Sequence, residues 1–185
     1  MKDVYVCNNP IVFDNLSILR DKTTSASDFR SALDIISKAL VYEASKELSL
    51  KEKEIQTPIS KHTSFRISDD VVIIPILRAG MGMLNAALSF YKSASVGYVG
   101  VKRNEETLQP MPYYENLPKI TEKSVVFVLD PMLATGGSVN YTLDVLKKFK
   151  VKKIVVLSVV GVKEGITLIK KNHPNVVICL AALDE

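Results

Sequence analysis

The stretch "SVVFVLDPMLATGGSVNYTLDVLKKF", Ser124 to Phe149, decides the fold. Its opening "SVVFVL" is apolar without alternation, the pattern of a parallel strand covered on both faces. Its second half puts Val139, Leu143, Leu146 and Phe149 on one face at helical period. Between the two lie a single acid, Asp130, and a Thr135-Gly136-Gly137-Ser138 turn. Strand, glycine turn and helix in that order read as one step of an alternating α/β chain.

The same grammar repeats outward from this step. "VVIIPIL", "SVGYVGV", "KIVVLSVV" and "NVVICLAAL" are further apolar runs, and "GMLNAALSFY" and "KEGITLIKKN" are helix-like segments between them. The expected fold is therefore α/β, a doubly wound and mostly parallel sheet with flanking helices. In such sheets ligands bind outside the carboxyl ends of the strands. Upstream, "SASDFRSALDIISKALVYEASKEL" opens on Ser25 and Asp28 at capping-box spacing, with Asp in place of Glu or Gln. Phe29, Leu33, Ile36, Leu40, Ala44 and Leu48 then predict a long amphipathic helix. "EKEIQTPISKHTSFRI" mixes β-branched and polar residues around Thr57-Pro58 and predicts an antiparallel ribbon. "NEETLQPMPYYENLPK", residues 104 to 119, carries three prolines and no pattern, and is expected to be a lid or binding loop in which Tyr113 and Tyr114 pack.

Asp130 stands at a strand end, five residues before the start of the Thr135-Gly136-Gly137-Ser138 turn. Glycines let successive backbone N–H groups turn inward around an anion, and a helix N-terminus adds partial positive charge. Thr135 and Ser138 add hydroxyl donors. A bare Thr-Gly-Gly-Ser is equally a tight turn into a helix. The acid changes that reading, because a carboxylate beside a phosphate needs a reason to be there. Accepting hydrogen bonds from two vicinal hydroxyls supplies one, as on a ribose whose 5-phosphate fills the turn. Gly137 is expected at positive φ, so that valine there would resist the conformation and push its side chain into the turn, abolishing phosphate binding with the sheet intact.

"ILRAGMGML" brings Arg78 to the same sheet edge, and the next strand ends Lys102-Arg103. An isolated arginine is usually a surface cation; Arg78 and Arg103 at successive strand ends suggest a ligand with phosphate at both ends. Gly80-Met81-Gly82 is two-thirds of a dinucleotide fingerprint, but Asn85 takes the third glycine position and no acid closes the next strand. An NADP-binding reading survives on the Lys102-Arg103 cations and leaves the turn at Gly136 unexplained. No Gly-Lys-Ser/Thr occurs, which excludes a Walker A loop.

At 185 residues and 47% apolar content the chain can bury one sizeable core, and one domain over 1–185 is expected. The net charge of +4 is spread along the sequence, which suits a small anion better than nucleic acid. Cys7 and Cys179 lack metal-ligand spacing and read as buried thiols in a reducing compartment. His62 and His173 also lack a metal partner at usable spacing and read as structural. No run approaches the ~20 apolar residues of a membrane span, and the first residues lack a signal-peptide core. The expectation is a cytoplasmic protein without a protein-held metal.

"VVIIPILRAGMGM", "VGVKRNEETLQPMPYYENLP" and "VVFVLDPMLATGGSV" closely resemble uracil phosphoribosyltransferase, a family of type I phosphoribosyltransferases. The likeness runs from the N-terminal helices to the last residue. "DPMLATGGS" is its most specific part, since most relatives carry two adjacent acids where this chain has Asp130-Pro131. The resemblance implies transfer of phosphoribose from 5-phosphoribosyl 1-diphosphate to uracil, giving UMP and diphosphate, with Mg²⁺ carried on the sugar diphosphate. It implies that Arg78 and Arg103 contact the diphosphate. Asp130, Pro131, Met132, Leu133, Ala134, Thr135, Gly136, Gly137 and Ser138 would bind ribose and its 5-phosphate, with Asp130, Arg78 and Arg103 catalytic. GTP as an effector and a homodimer or higher oligomer, with the long N-terminal helix as its element, are further expectations. In the family a Gly-rich segment after the last strand binds uracil; here that segment is expected beyond Glu185. On that expectation the 185-residue chain binds the sugar diphosphate but transfers it poorly. Two alternatives remain open: a regulatory protein that binds the sugar diphosphate without base transfer, and an NADP-binding oxidoreductase.

Overall fold

The apolar runs form one sheet because their side chains alternate between two buried faces. In the computed structural model, which describes residues 2–103 and 110–185, all six residues of β8 (Ser124–Leu129) are buried. Val125, Phe127 and Leu129 join one apolar cluster, while Val126 and Val128 join the other. The remaining strands are β1 (Val4–Val6), β4 (Asp70–Leu77), β5 (Ser95–Val96), β6 (Tyr98–Arg103), β7 (Pro110–Asn116), β9 (Met132–Leu133), β10 (Lys153–Val162) and β11 (Val177–Asp184). Their order is β1-β11-β10-β8-β4-β6-β7, with β5 beside β4 and β9 beside β10. Every pairing is parallel except that of β6 with β7.

Helices cover both faces, as the doubly wound reading expects. The first layer holds α1 (Pro10–Arg20), α2 (Ala26–Ala44) and α3 (Met81–Phe90), whose Leu16, Ile36, Leu40 and Met83 pack on Ile73, Phe127 and Leu157. The second holds α4 (Gly137–Leu146) and α5 (Lys163–Asn172), whose Val139, Leu143, Ile166 and Ile169 pack on Ile74, Val128 and Val156. The chain runs from β4 outward to β6, then returns to the other side of β4 with β8, β10 and β11. The topological switch point therefore lies between β4 and β8. The crevice at their carboxyl ends is where a ligand belongs in such a sheet.

Outside the main sheet, β2 (Leu50–Gln56) and β3 (Lys61–Ile67) form the expected antiparallel ribbon. Ser25 caps α2 by accepting from the Asp28 N–H at 3.1 Å, while the Asp28 carboxylate accepts from the Ser25 hydroxyl. The long helix stops at Ala44, so Leu48 lies beyond it, and Phe29 in its first turn is exposed.

The predicted lid is corrected in its second half. Residues 110–116 are the edge strand β7, antiparallel to β6, rather than loop. Its prolines, Pro110 and Pro112, are tolerated because an edge strand has one side without ladder bonds. Its exposure hides the alternation that marks a half-buried strand. The first half, 104–109, lies outside the described residues.

Among the strands and α-helices, α1, β1 and β9 had no expectation attached. The helix α1 starts at Asn9, whose side chain accepts from the Ile11 N–H at 2.9 Å, with Pro10 at the first helical position. The strand β1 is only three residues long, too short for a period to register.

Candidate functional site

The β8 ladder breaks at Asp130-Pro131. Pro131 has no N–H to give, and its carbonyl accepts from both Val159 and Val160, at 3.0 and 3.1 Å. Two residues of β9 then pair with Val160 and Gly161 before the chain turns into α4. Asp130 is left half-buried at the switch point, beside the open end of β4. Its carboxylate accepts from the Met132 N–H, yet desolvation dominates and raises its pKa from 3.8 to about 6.

The Thr-Gly-Gly-Ser turn sits immediately beyond. Gly136 adopts the left-handed region, φ 80°, and is the N-cap of α4. Its carbonyl accepts the first helical bond from Asn140 N–H at 2.7 Å. As a glycine, the N-cap itself offers no side-chain oxygen to the amides of the first turn. The positive φ belongs to Gly136 and not to Gly137, which corrects that expectation. Gly137 begins the right-handed helix, and a Cβ there meets nothing nearer than Pro110 Cδ at 3.8 Å.

Two cavities meet at this edge. A small one of about 170 Å³ is lined by Pro110, Asp130, Met132, Ala134 and the turn Thr135 to Ser138. A larger cleft of about 800 Å³ is lined on one side by Leu77, Arg78 and Ala79 and on the other by Val101, Lys102 and Tyr113. Asp130 and Ser138 belong to both. One cavity thus offers backbone amides and hydroxyls, the other offers cations, and the carboxylate stands at their junction. Such a pair suits an elongated ligand carrying an anion at each end.

Of the predicted residues, Arg78, Asp130, Met132, Ala134, Thr135, Gly136, Gly137 and Ser138 line these cavities. Pro131 and Leu133 do not: Pro131 shapes the break in the ladder, and Leu133 is buried in the α4–α5 core. Arg103 closes β6, and its side chain lies outside the described part of the structure. Neither His62 nor His173 lines either cavity. His173 is buried beside Asp144, and burial holds its pKa down. Both cysteines are free, and burial pushes their thiols up. Gly80, part of the partial dinucleotide fingerprint, has a packing reason to be glycine: a Cβ there would lie 2.4 Å from the Leu129 carbonyl oxygen.

Lys102 and Tyr113 were not among the predicted site residues. Tyr113 reaches the cleft through a β-bulge: Gly100 opposes Tyr114 and Val101 opposes Pro112, which leaves Tyr113 between registers. Its ring lies on Gly100, where a Cβ would stand 2.7 Å from it. The glycine-then-valine step in "YVGVKR" was the available signal, and without a partner strand it had no meaning.

A sheet with a ligand crevice at this switch point and an anion turn into the next helix is the doubly wound α/β arrangement that solved phosphoribosyltransferases also have. The adenine phosphoribosyltransferase of Trypanosoma brucei shares it at 9% identity and a TM-score of 0.67, over 99% of this chain and 84% of that one. AQ2163 protein from Aquifex aeolicus is far nearer, 36% identical at a TM-score of 0.90 over 98% of this chain and 88% of that one. The family model for uracil phosphoribosyltransferase matches residues 6–185. The uracil phosphoribosyltransferase of Ureaplasma urealyticum is 40% identical over 181 residues, covering 97% of this chain and 87% of that protein. That of Bacillus cereus is 41% identical over 186 residues, covering 100% and 89%. The chain belongs to the uracil phosphoribosyltransferase family. Neither the NADP-binding alternative nor the purely regulatory one gains support from these relatives.

Proposed function

We propose that the protein is a single phosphoribosyltransferase domain that transfers phosphoribose from 5-phosphoribosyl 1-diphosphate to uracil. The observation that carries this reading, beside family membership, is the meeting of an amide-lined cavity and a cation-lined cleft at Asp130. In it the 5-phosphate lies in the turn Thr135 to Ser138, and the ribose hydroxyls donate to Asp130. The diphosphate lies against Arg78, with Lys102 and Arg103 on the neighbouring strand.

In the reaction the bond from the anomeric carbon to diphosphate breaks and its electron pair leaves with diphosphate. A ring nitrogen of uracil forms the new bond to that carbon, and its proton passes to solvent or to the departing diphosphate. Positive charge gathers on the anomeric carbon between these events, so placement and electrostatics carry most of the acceleration. Arg78 neutralises the departing charge. Asp130, ionised, holds the ribose and favours the cationic centre. Tyr113 narrows the cleft on the side of the edge strand and helps exclude water.

Mg²⁺ fits this residue set as a passenger on the diphosphate. It takes oxygen ligands, keeps several waters and is commonly held by one or two carboxylates plus substrate phosphates. Among the described residues Asp130 is the one carboxylate lining the two cavities, and those residues contain no group of three or more His, Cys, Asp or Glu able to hold a metal. Bound there, Mg²⁺ supplies neutralising charge to the leaving diphosphate.

The protein acts in the cytoplasm on small-molecule substrates and assembles as a homodimer or larger homo-oligomer. Free cysteines agree with a reducing compartment, and no described helix is long and apolar enough to cross a membrane. Exposed Phe29, Ile35 and Tyr42 on α2 agree with a helix that pairs with another copy. GTP as an effector rests on the family resemblance.

The test is a paired measurement on the 185-residue chain: affinity for the sugar diphosphate by calorimetry, and UMP formation from labelled uracil. Reading the two separately matters because the resemblance puts the uracil contacts after the last strand. Uracil-dependent diphosphate release supports the enzyme, whereas tight binding with no release under any condition supports the regulatory alternative.

A further inference from the structure

The turn that receives the phosphate does not stand by itself; its back rests on α5. Gly165, the third residue of that helix, is buried against it. A Cβ on Gly165 would lie 2.3 Å from the carbonyl oxygen of Ala134 and 3.1 Å from the nitrogen of Gly136. The contact is mutual, for a Cβ on Gly136 would lie 3.1 Å from the Cα and the carbonyl oxygen of Gly165. Backbone meets backbone, with a glycine on each side. The Ala134 carbonyl faces α5, and in a trans peptide the following N–H, that of Thr135, points the opposite way. That places the Thr135 amide on the cavity side of the turn.

The far end of α5 is tied to the helix that the turn opens. Asn172 Nδ2 donates to Asn140 Oδ1 at 2.8 Å, and Asn140 Nδ2 donates to Asp144 Oδ2 at 3.0 Å. The Asn140 N–H in turn donates to the Gly136 carbonyl. Sliding α5 away from the turn would break this tie and unpack the buried Ile166 and Ile169, so the displacement falls at least in part on the turn.

We infer that Gly165 is a positioning residue for the 5-phosphate: the absence of a side chain lets α5 press the 134–136 backbone into the conformation that turns its amides to the ligand. The inference rests on the proposed assignment of the phosphate to this turn. Gly165 touches no ligand and acts through Ala134 and Gly136. Alanine is the better helix former at this position, so a loss on substitution is not a loss of helix propensity.

Gly165→Ala forces a contact of backbone against Cβ that no rotamer can relieve, and the turn must shift. A shift of the order of 1 Å in a binding element can cost about a hundredfold, and the expected loss in ribose 5-phosphate affinity is at least about tenfold. Affinity for inorganic diphosphate, which reads the Arg78 half, stays within about twofold, and KM for the sugar diphosphate rises with the ribose 5-phosphate Kd. A cooperatively melting G165A protein that binds ribose 5-phosphate like the wild type overturns the inference. Equal loss for both ligands overturns it as well, since that is the signature of a general structural role. Should G165A not fold, amide exchange on the unaltered protein decides. Ribose 5-phosphate is expected to slow exchange at 134–137 and at 163–166 together, and protection confined to 134–137 overturns it. If the wild type fails to bind ribose 5-phosphate at all, it is the phosphate assignment itself that falls.

Discussion

Asp130 is set against the fold that carries it. Its folded pKa of about 6 stands above the 3.8 of an ordinary carboxyl, so between these values the folded chain holds more proton than the unfolded one. Stability from this group is therefore present below 3.8 and is lost as the pH rises through about 6. Asp130→Asn should raise the melting temperature of the unliganded protein at pH 7, measured by scanning calorimetry. The same change should weaken binding of the sugar diphosphate by about 1.5–3 kcal/mol, the range for hydrogen bonds to a charged group. Unchanged affinity in a folded variant would remove Asp130 from the site. In the wild type, affinity should hold above pH 6 and fall by up to about tenfold per unit below it, because only the carboxylate accepts two hydroxyls. The two glycines differ in kind. Gly136→Ala strains a left-handed residue, at a cost of about 1–2 kcal/mol, and should lower the melting temperature. At Gly137 a Cβ meets no protein atom closer than 3.8 Å, and the position lines the small cavity, so a valine there is expected to fill phosphate space. Gly137→Val should leave the melt unchanged and abolish ribose 5-phosphate binding; retained affinity would refute the phosphate assignment.

At the scale of elements, the sequence was readable wherever a single segment carries its own pattern. β4, β8, β10 and β11 are continuous apolar runs, and α4 shows its period, because each is buried by both layers or by one. The Asp130 and Thr135-to-Ser138 cluster was readable because its residues are neighbours in sequence. The α1 start at Asn9-Pro10 carried no expectation, although a cap, a proline at the first helical position and Val12 and Leu16 one turn apart mark it in the structure. What stayed hidden depends on two segments at once. β7 is a strand only because β6 offers it an edge, and Tyr113 is in the cleft only because the register slips at Gly100. Gly165 is silent in sequence, since its partner lies about thirty residues away and the contact is between backbones. The edge strand yields its own test. Gly100→Ala puts a methyl into the Tyr113 ring, 2.7 Å away, and should displace the ring from the cleft. KM for the substrates should rise, while Tyr113→Ala alone gives a similar rise and the two changes together add little.

For the whole molecule, one sheet with helices on both faces predicts a single cooperative transition. Saturating sugar diphosphate at 100 times its Kd should raise the unfolding free energy by about 2.7 kcal/mol, seen as a higher melting temperature. Two separated transitions would argue against one domain. The self-association proposed for α2 makes that temperature rise with protein concentration as well, and sedimentation measures the same equilibrium directly.

The helices that follow β4 and β8 leave the sheet on opposite faces: α3, behind Arg78, lies in one layer, and α4, behind Asp130, in the other. On the proposed assignment the two halves of the ligand site are mounted like the jaws of a calliper, each on its own helical layer, with the sheet between them as the bar. The opening between the jaws is fixed by the pairing of β4 with β8, whose facing residues Ile73 and Phe127 are fully buried. A ligand of the wrong length thus has to disturb a buried, hydrogen-bonded strand pair to fit. Discrimination by span then belongs to the sheet, and loosening either jaw by a core substitution should blunt it before it blunts affinity for either end alone.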